Sequence, residues 1–189
     1  MNLSVDKMID AKQLACPMPI VRTKQAVEKL EPGQVLEVQA TDKGSIADLQ
    51  GWTKSAGHHY LGMKEKEGVF RHFLRKADPN EEKQETIHPQ TITNEALQAK
   101  LEKAEALTII DVREQAEFLF GHLPTAISIP MGVLEGGMDQ FDHDQPLFII
   151  CRTGNRSDRA CQLLTELGFK NVTNVLPGMS QWTGPIEKE

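Results

Sequence analysis

Apolar residues recur along the chain in two blocks, with a charged stretch between them. In the first block, residues 4–9 predict a short strand. Residues 19–30 predict a helix with Ile20, Val27 and Leu30 on one face, stopped by Pro32-Gly33. Residues 35–40 alternate loosely and predict a strand. Residues 45–56 predict a second helix, begun near Asp42 and ended by Gly57. Residues 59–65 and 69–74 predict a hairpin around Glu67-Gly68. The order βαβαββ specifies a two-layer α/β sandwich. Residues 76–84 are charged and carry no large apolar side chain, which predicts a linker. Beyond it, Thr93 is placed to cap a helix running through Leu101. Two apolar runs predict buried strands, residues 107–110 delivering Asp111 and residues 148–150 delivering Cys151. A helix over 156–167 ends at Gly168. Strand alternating with helix predicts a mostly parallel sheet covered on both faces, with functional residues at the carboxyl ends of its strands. The expected domains are 1–76, a linker 77–85, and 86–189.

Composition adds compartment and partners. No run of 189 residues approaches the ~18 apolar positions of a membrane span, and residues 1–10 lack the apolar core of a signal peptide. Three widely separated cysteines do not form a disulfide framework, so a reducing cytoplasm is expected. The net charge of −6 argues against nucleic acid as a partner. Its distribution is uneven: residues 1–76 carry 12 Lys+Arg and 9 Asp+Glu, and the rest carry 9 and 18. Opposite signs fit two domains of separate origin. The six histidines show no ligand spacing, and neither a metal nor a cofactor is expected.

The chemistry concentrates at Cys151-Arg152-Thr153-Gly154-Asn155-Arg156-Ser157. A thiol ends a buried strand, a short glycine-containing loop carries two arginines, and a helix begins. Main-chain N–H groups at a helix start attract negative charge. Arg152 and Arg156 add full positive charge, and Gly154 permits unusual backbone angles. Such a field favours the thiolate, the reactive form of Cys151. Cys-x5-Arg phosphatases need arginine six positions after the cysteine, where this chain has Ser157. The shorter cup suits a sulfur added to the thiol, and Ser157 is placed to donate a further hydrogen bond to it. The loop resembles that of the rhodaneses. So do Asp111-Val112-Arg113-Glu114, Glu117-Phe118, Gly121-His122-Leu123-Pro124, Ala126 and Pro130, then Gly168-Phe169, Asn174-Val175-Leu176, Gly178-Met179 and Trp182. The resemblance covers roughly residues 86–186. Thr125 and Pro177 depart from it, standing where the family usually or often has glycine.

A second thiol lies in Cys16-Pro17-Met18-Pro19, just ahead of the first predicted helix. Proline suits the first helical positions, and the helix's positive end is expected to lower the pKa of Cys16. The prolines also remove two donors, so this exposed thiol suits a carrier better than a catalyst. Asp10-Ala11, Leu14, Val21-Arg22-Thr23-Lys24, Leu30-Glu31-Pro32-Gly33, Val38, Thr41-Asp42, Trp52 and Gly57-His58 extend a resemblance to the TusA/SirA sulfur carriers over roughly residues 3–76. The family usually has glycine where this chain has Gln13. The resemblance implies that Cys16 carries a sulfane sulfur as a persulfide.

Together these features predict a sulfurtransferase. Cys151 takes sulfur from thiosulfate, polysulfide or a low-molecular-weight persulfide, with residues 152–157 holding the donor. The sulfur then passes to Cys16 or another thiol or protein acceptor. The rival readings are a reactive-sulfur sensor that stops after one equivalent, and a phosphatase or arsenate reductase on the rhodanese fold. Cys161 is expected in the core. His122 is expected to serve as a structural hydrogen-bonding residue. Asp111 and Arg113 are expected to pair with the backbone or each other near the loop. Glu81, Glu82, Glu102 and Glu105 are expected to be solvated charge.

Overall fold

A computed structural model describes residues 4–82, 86–103 and 105–189, with Glu82 described by its main chain alone. The chain divides into two compact units, Met1–Pro79 and Asn80–Glu189. Among the described residues, no helix is long and apolar enough to cross a membrane.

The first unit runs β1 (Lys7–Asp10), α1 (Met18–Glu28), β2 (Val35–Ala40), α2 (Gly44–Ser55), β3 (His59–Lys66) and β4 (Val69–Arg75). This is the βαβαββ order expected. The sheet order is β1-β2-β4-β3, with β1 parallel to β2 and the other pairs antiparallel. Val27 and Leu30 pack with Leu36, Val38, Leu49 and Leu74 to form the core.

A polar residue sits within this unit. His72 of β4 is fully buried, with Nε2 3.1 Å from Ser45 Oγ and Nδ1 2.8 Å from Tyr60 Oη. Burial drives its pKa down to about 4, against about 6.5 in an unfolded chain. The unfolded state therefore takes the proton first. Stability contributed by neutral His72 is intact above pH ~6.5 and is lost as pH falls from there towards 4, by up to about 3 kcal/mol. Urea unfolding measured across this range is expected to show that slope in the wild type and a flatter one in His72→Gln; equal slopes would refute the assignment.

The second unit contains β5 (Thr91–Thr93), α3 (Asn94–Glu102), β6 (Thr108–Asp111), α4 (Gln115–Leu119), β7 (Ile127–Ser128), α5 (Leu134–Gly137), β8 (Leu147–Ile150), α6 (Asn155–Glu166) and β9 (Val172–Leu176). Its sheet order is β5-β9-β8-β6-β7, and every pair is parallel. Alternate residues of the strands serve two cores. Ile110, Leu147 and Ile149 pack with Cys161, Leu164 and Phe169. Ile109, Phe148 and Ile150 pack with Leu97, Leu123 and Val175. A sheet covered on both faces explains why β8 is apolar at every position. Thr93 caps α3 by accepting from Ala96 N.

Two departures from the family patterns have a backbone correlate. Gln13 and Thr125, where glycine is usual, have φ of 59° and 64°. Both occupy the left-handed region, where glycine is free of the Cβ clash that other residues meet.

The end of the expected linker has a different character from its sequence. Pro79–Glu82 form a 3-10 turn. Glu81 is not solvated but buried, beside Arg156. Glu82's side chain and residues 83–85 lie outside the described residues. Glu102 and Glu105 are exposed as expected.

Candidate active loop and carrier thiol

Central strand β8 runs straight into Cys151, whose residue is fully buried at the base of the loop. Gly154 has φ 93° and forms the N-cap of α6. That turn aims Gly154 N at the sulfur, 3.2 Å away. Ser157 Oγ, from the first turn of α6, lies 3.3 Å from the sulfur on the buried side. The same hydroxyl is 2.6 Å from Asn174 Oδ1 and 3.0 Å from Gly154 O. Asn174 Nδ2 also donates to Gly154 O, at 3.2 Å. Residue 174 of β9 thus ties the neighbouring strand to the loop.

The other loop side chains are committed elsewhere. Thr153 Oγ1 donates to Glu81 O at 2.8 Å. Asn155 Nδ2 donates to Glu81 O at 2.8 Å and lies 3.1 Å from Asn80 O. Arg156 donates to both oxygens of Glu117, at 3.0 and 3.2 Å. Its Nε lies 2.9 Å from Glu81 Oε1, an ion pair by distance whose angle is too oblique for a hydrogen bond. Burial alone would lower the pKa of Arg156. Glu117, Glu81 and the nearby Cys151 sulfur outweigh it and hold the guanidinium above its usual range. Arg156 is therefore a tied, charged strut rather than the free anion clamp its position in the sequence suggests. Arg152 differs: it is half-buried, and among the described residues no carboxylate pairs with it.

The second strand end is equally fixed. Arg113 Nη2 is 2.6 Å from Asp111 Oδ2 and 2.7 Å from Gly121 O, while Arg113 N donates to Asp111 Oδ1. The two pair with each other, as expected. His122 Nδ1 lies 2.9 Å from Phe118 O and its ring stacks on Phe118, which fits a structural role. Gly178 (φ 88°, ψ −166°) turns the chain after β9 across the loop. Met179 N and Ser180 N then donate to Cys151 O and Arg152 O at 2.9 and 2.8 Å. Asn94 holds this turn by bonding Gly178 N and O. Asp158 accepts from Ile87 N and His88 N, anchoring the start of the unit to α6. Cys161 is fully buried in the core.

Cys16 is exposed, two residues ahead of α1. Its pKa runs opposite to expectation. A hydrogen bond with the Asp48 side chain is the largest influence, followed by partial desolvation and the charges of Asp48 and Asp42, and all push the thiol up. Asp48 comes from α2 and Asp42 from the turn before it, so two carboxylates from another element face the thiol at the start of α1.

Comparison with known proteins assigns both halves. The model of the sulfurtransferase TusA family matches residues 7–76, and that of the rhodanese-like domain matches residues 93–185. A Bacillus subtilis protein described as "Putative sulfur carrier protein YrkF" is 44% identical over 95% of this chain and 97% of its own length. The chain belongs to the TusA–rhodanese sulfurtransferase family. The TusA domain alone is 39% identical to the sulfur carrier protein TusA of Allochromatium vinosum, over 38% of this chain and 95% of that protein. The rhodanese domain resembles the crystal structure of a rhodanese-like domain protein from Staphylococcus aureus, with 30% identity and a TM-score of 0.50, over 53% of this chain and 98% of that one.

The loop cysteine, Ser157 and the arginines were readable from spacing. Glu117 and Asn174 stood inside the family-like strings with no sign of their contacts. Glu81 carried no signal, because one glutamate in a charged stretch looks like any other.

Proposed function

We propose that the rhodanese domain loads Cys151 with sulfane sulfur from thiosulfate, polysulfide or a low-molecular-weight persulfide, and that the sulfur passes to Cys16 of the TusA domain or to another thiol acceptor in the cytoplasm. The observation that carries this reading is the convergence of Gly154 N and Ser157 Oγ on the Cys151 sulfur. Gly154 N–H donates to the sulfur, and the Ser157 hydroxyl, whose single proton is shared with Asn174 Oδ1 and Gly154 O, lies within reach; both stabilise negative charge there, on the thiolate and then on the persulfide. In the loading step, the Cys151 thiolate attacks the outer sulfur of thiosulfate. The new S–S bond forms as the bond to sulfite breaks, and sulfite leaves with the electron pair. Acceptor thiolate attack on the outer persulfide sulfur then returns Cys151 as thiolate.

The roles of residues 152–157 divide in this proposal. Main-chain N–H groups, Gly154 and Ser157 hold the sulfur, and Arg152 is the cation left for the donor. Thr153, Asn155 and Arg156 shape the loop. At the carrier, Asp48 raises the proton affinity of unloaded Cys16, which limits side reactions of an exposed thiol and leaves its minor thiolate form as the attacking species.

The test is peptide mass mapping after incubation with thiosulfate and removal of the donor. Sulfur is expected on Cys16 in the wild type, on Cys151 alone in Cys16→Ser, and on neither in Cys151→Ser. Mixing the two variants separates the routes, because label on Cys16 then requires transfer between chains. Loading of Cys16 in Cys151→Ser alone at the wild-type rate would reverse the proposed direction. A sensor would stop after one sulfur equivalent, whereas continued sulfite release with excess acceptor thiol is expected here.

A further inference from the structure

We infer that Glu81, from the segment leading into the rhodanese domain, is a positioning residue that sets the charge preference of the sulfur donor by holding and neutralising Arg156. The inference rests on the sulfurtransferase reading above and adds a determinant of substrate class to it.

Charge bookkeeping around the loop gives the reason. Arg113 is a buried cation, and Arg156 is a mostly covered one with its side chain 15% exposed. The buried carboxylates around them are Asp111, Glu117 and Glu81. Asp111 neutralises Arg113, and Glu117 alone would neutralise Arg156 through two hydrogen bonds. Glu81 adds a second carboxylate to that one guanidinium, and its side chain is only 4% exposed, so solvent screens it little. Arg156 stands in the first turn of α6 beside Ser157, whose hydroxyl is 3.3 Å from the Cys151 sulfur, so the Arg156 charge is felt there. A carboxylate added to that guanidinium subtracts from the positive field a donor meets at Cys151. The loop is thereby biased against donors carrying several negative charges, such as dianionic thiosulfate. Singly charged persulfides are disfavoured less.

The residue can be tested without dismantling the loop, because two of its contacts come from the main chain. Glu81 O accepts from Thr153 and Asn155, and both bonds survive a side-chain change. Glu81→Gln removes the charge and keeps the shape.

The experiment measures kcat/KM of the full-length chain with two donors, thiosulfate and 2-hydroxyethyl persulfide, in the same preparation. Their ratio cancels any loss of folded protein. In Glu81→Gln the ratio is expected to move about fivefold towards thiosulfate, the size expected for one charge a short distance away at intermediate dielectric. The change is expected mainly in the KM for thiosulfate, to shrink at high salt, and to be absent in Glu81→Asp. An unchanged ratio, or equal loss with both donors, would overturn the inference and leave Glu81 as a structural strut. Wild type loading sulfur from neither donor would instead overturn the sulfurtransferase reading and this inference with it.

Discussion

Cys151→Ser is expected to fold and to lose sulfur transfer from every donor by roughly a thousandfold or more, since the loop then holds no thiolate to take the sulfur. The serine would sit on the same fully buried site at the end of β8, facing the same donors, Gly154 N and Ser157 Oγ. Those donors were placed for a large polarisable sulfur, and a neutral hydroxyl is a poor nucleophile towards sulfane sulfur. Thermal unfolding of the variant should stay within a few degrees of wild type, because the substitution removes little buried area. The rate is read as sulfite release from thiosulfate in the presence of excess thiol. Turnover within tenfold of wild type would mean that sulfur enters the chain elsewhere.

Gly178→Ala is expected to damage both stability and rate. The backbone there (φ 88°, ψ −166°) lies in a region essentially reserved for glycine, at a cost of about 1–3 kcal/mol for any other residue. A Cβ would also stand 2.6 Å from Cys151 O and 3.0 Å from Arg152 O. Both are main-chain atoms, so relief requires the loop itself to shift. The turn is held against retreat by Asn94 on one side and by the bonds from Met179 N and Ser180 N on the other. A displacement approaching 1 Å at the nucleophile costs on the order of a hundredfold in rate. The variant is therefore expected to unfold several degrees earlier and to load sulfur about a hundredfold more slowly. Wild-type kcat/KM in a variant of normal stability would show that the turn does not locate Cys151.

The sequence made the strand-then-helix frame around Cys151 legible because its signals are local. An apolar run, a glycine and a helix start fall within about twenty consecutive residues. The order βαβαββ was legible for the same reason, each element announcing itself by period or by a glycine-bearing turn. Short elements escaped. The two-residue strand β7, the five-residue helix α4 and the three-residue strand β5 are too brief to show a period, and the two strands exist because the sheet has places for them at its edges.

Electrostatics was the least legible property, because it depends on partners far along the chain. Arg156 reads as a free cation until Glu117 and Glu81 arrive 39 and 75 positions earlier, one from α4 and one from a stretch that looks like linker. Cys16 reads as an activated thiol until Asp48 crosses to it from another helix. In both cases the local sequence gives the sign of one charge, and the fold supplies its opposite. The unusual residues at Gln13 and Thr125 are the converse case. There a comparison with family patterns identified the position, and the backbone angle supplied the reason it matters.

The burial of Cys161 bears on how this enzyme ages. That thiol is sealed among Ile149, Ala160 and Leu164, and burial, Asp158 and Cys151 raise its pKa far above that of an ordinary thiol. It is the only other cysteine in the rhodanese domain. A sulfenic acid formed on Cys151 would thus find no thiolate within its own domain to capture it as a disulfide, and would be open to irreversible oxidation until a thiol from outside intervenes. Survival of the nucleophile under peroxide then depends on traffic. A loop that turns over quickly holds its reactive electrons on the outer, expendable sulfur, whereas an idle one exposes the atom it cannot replace.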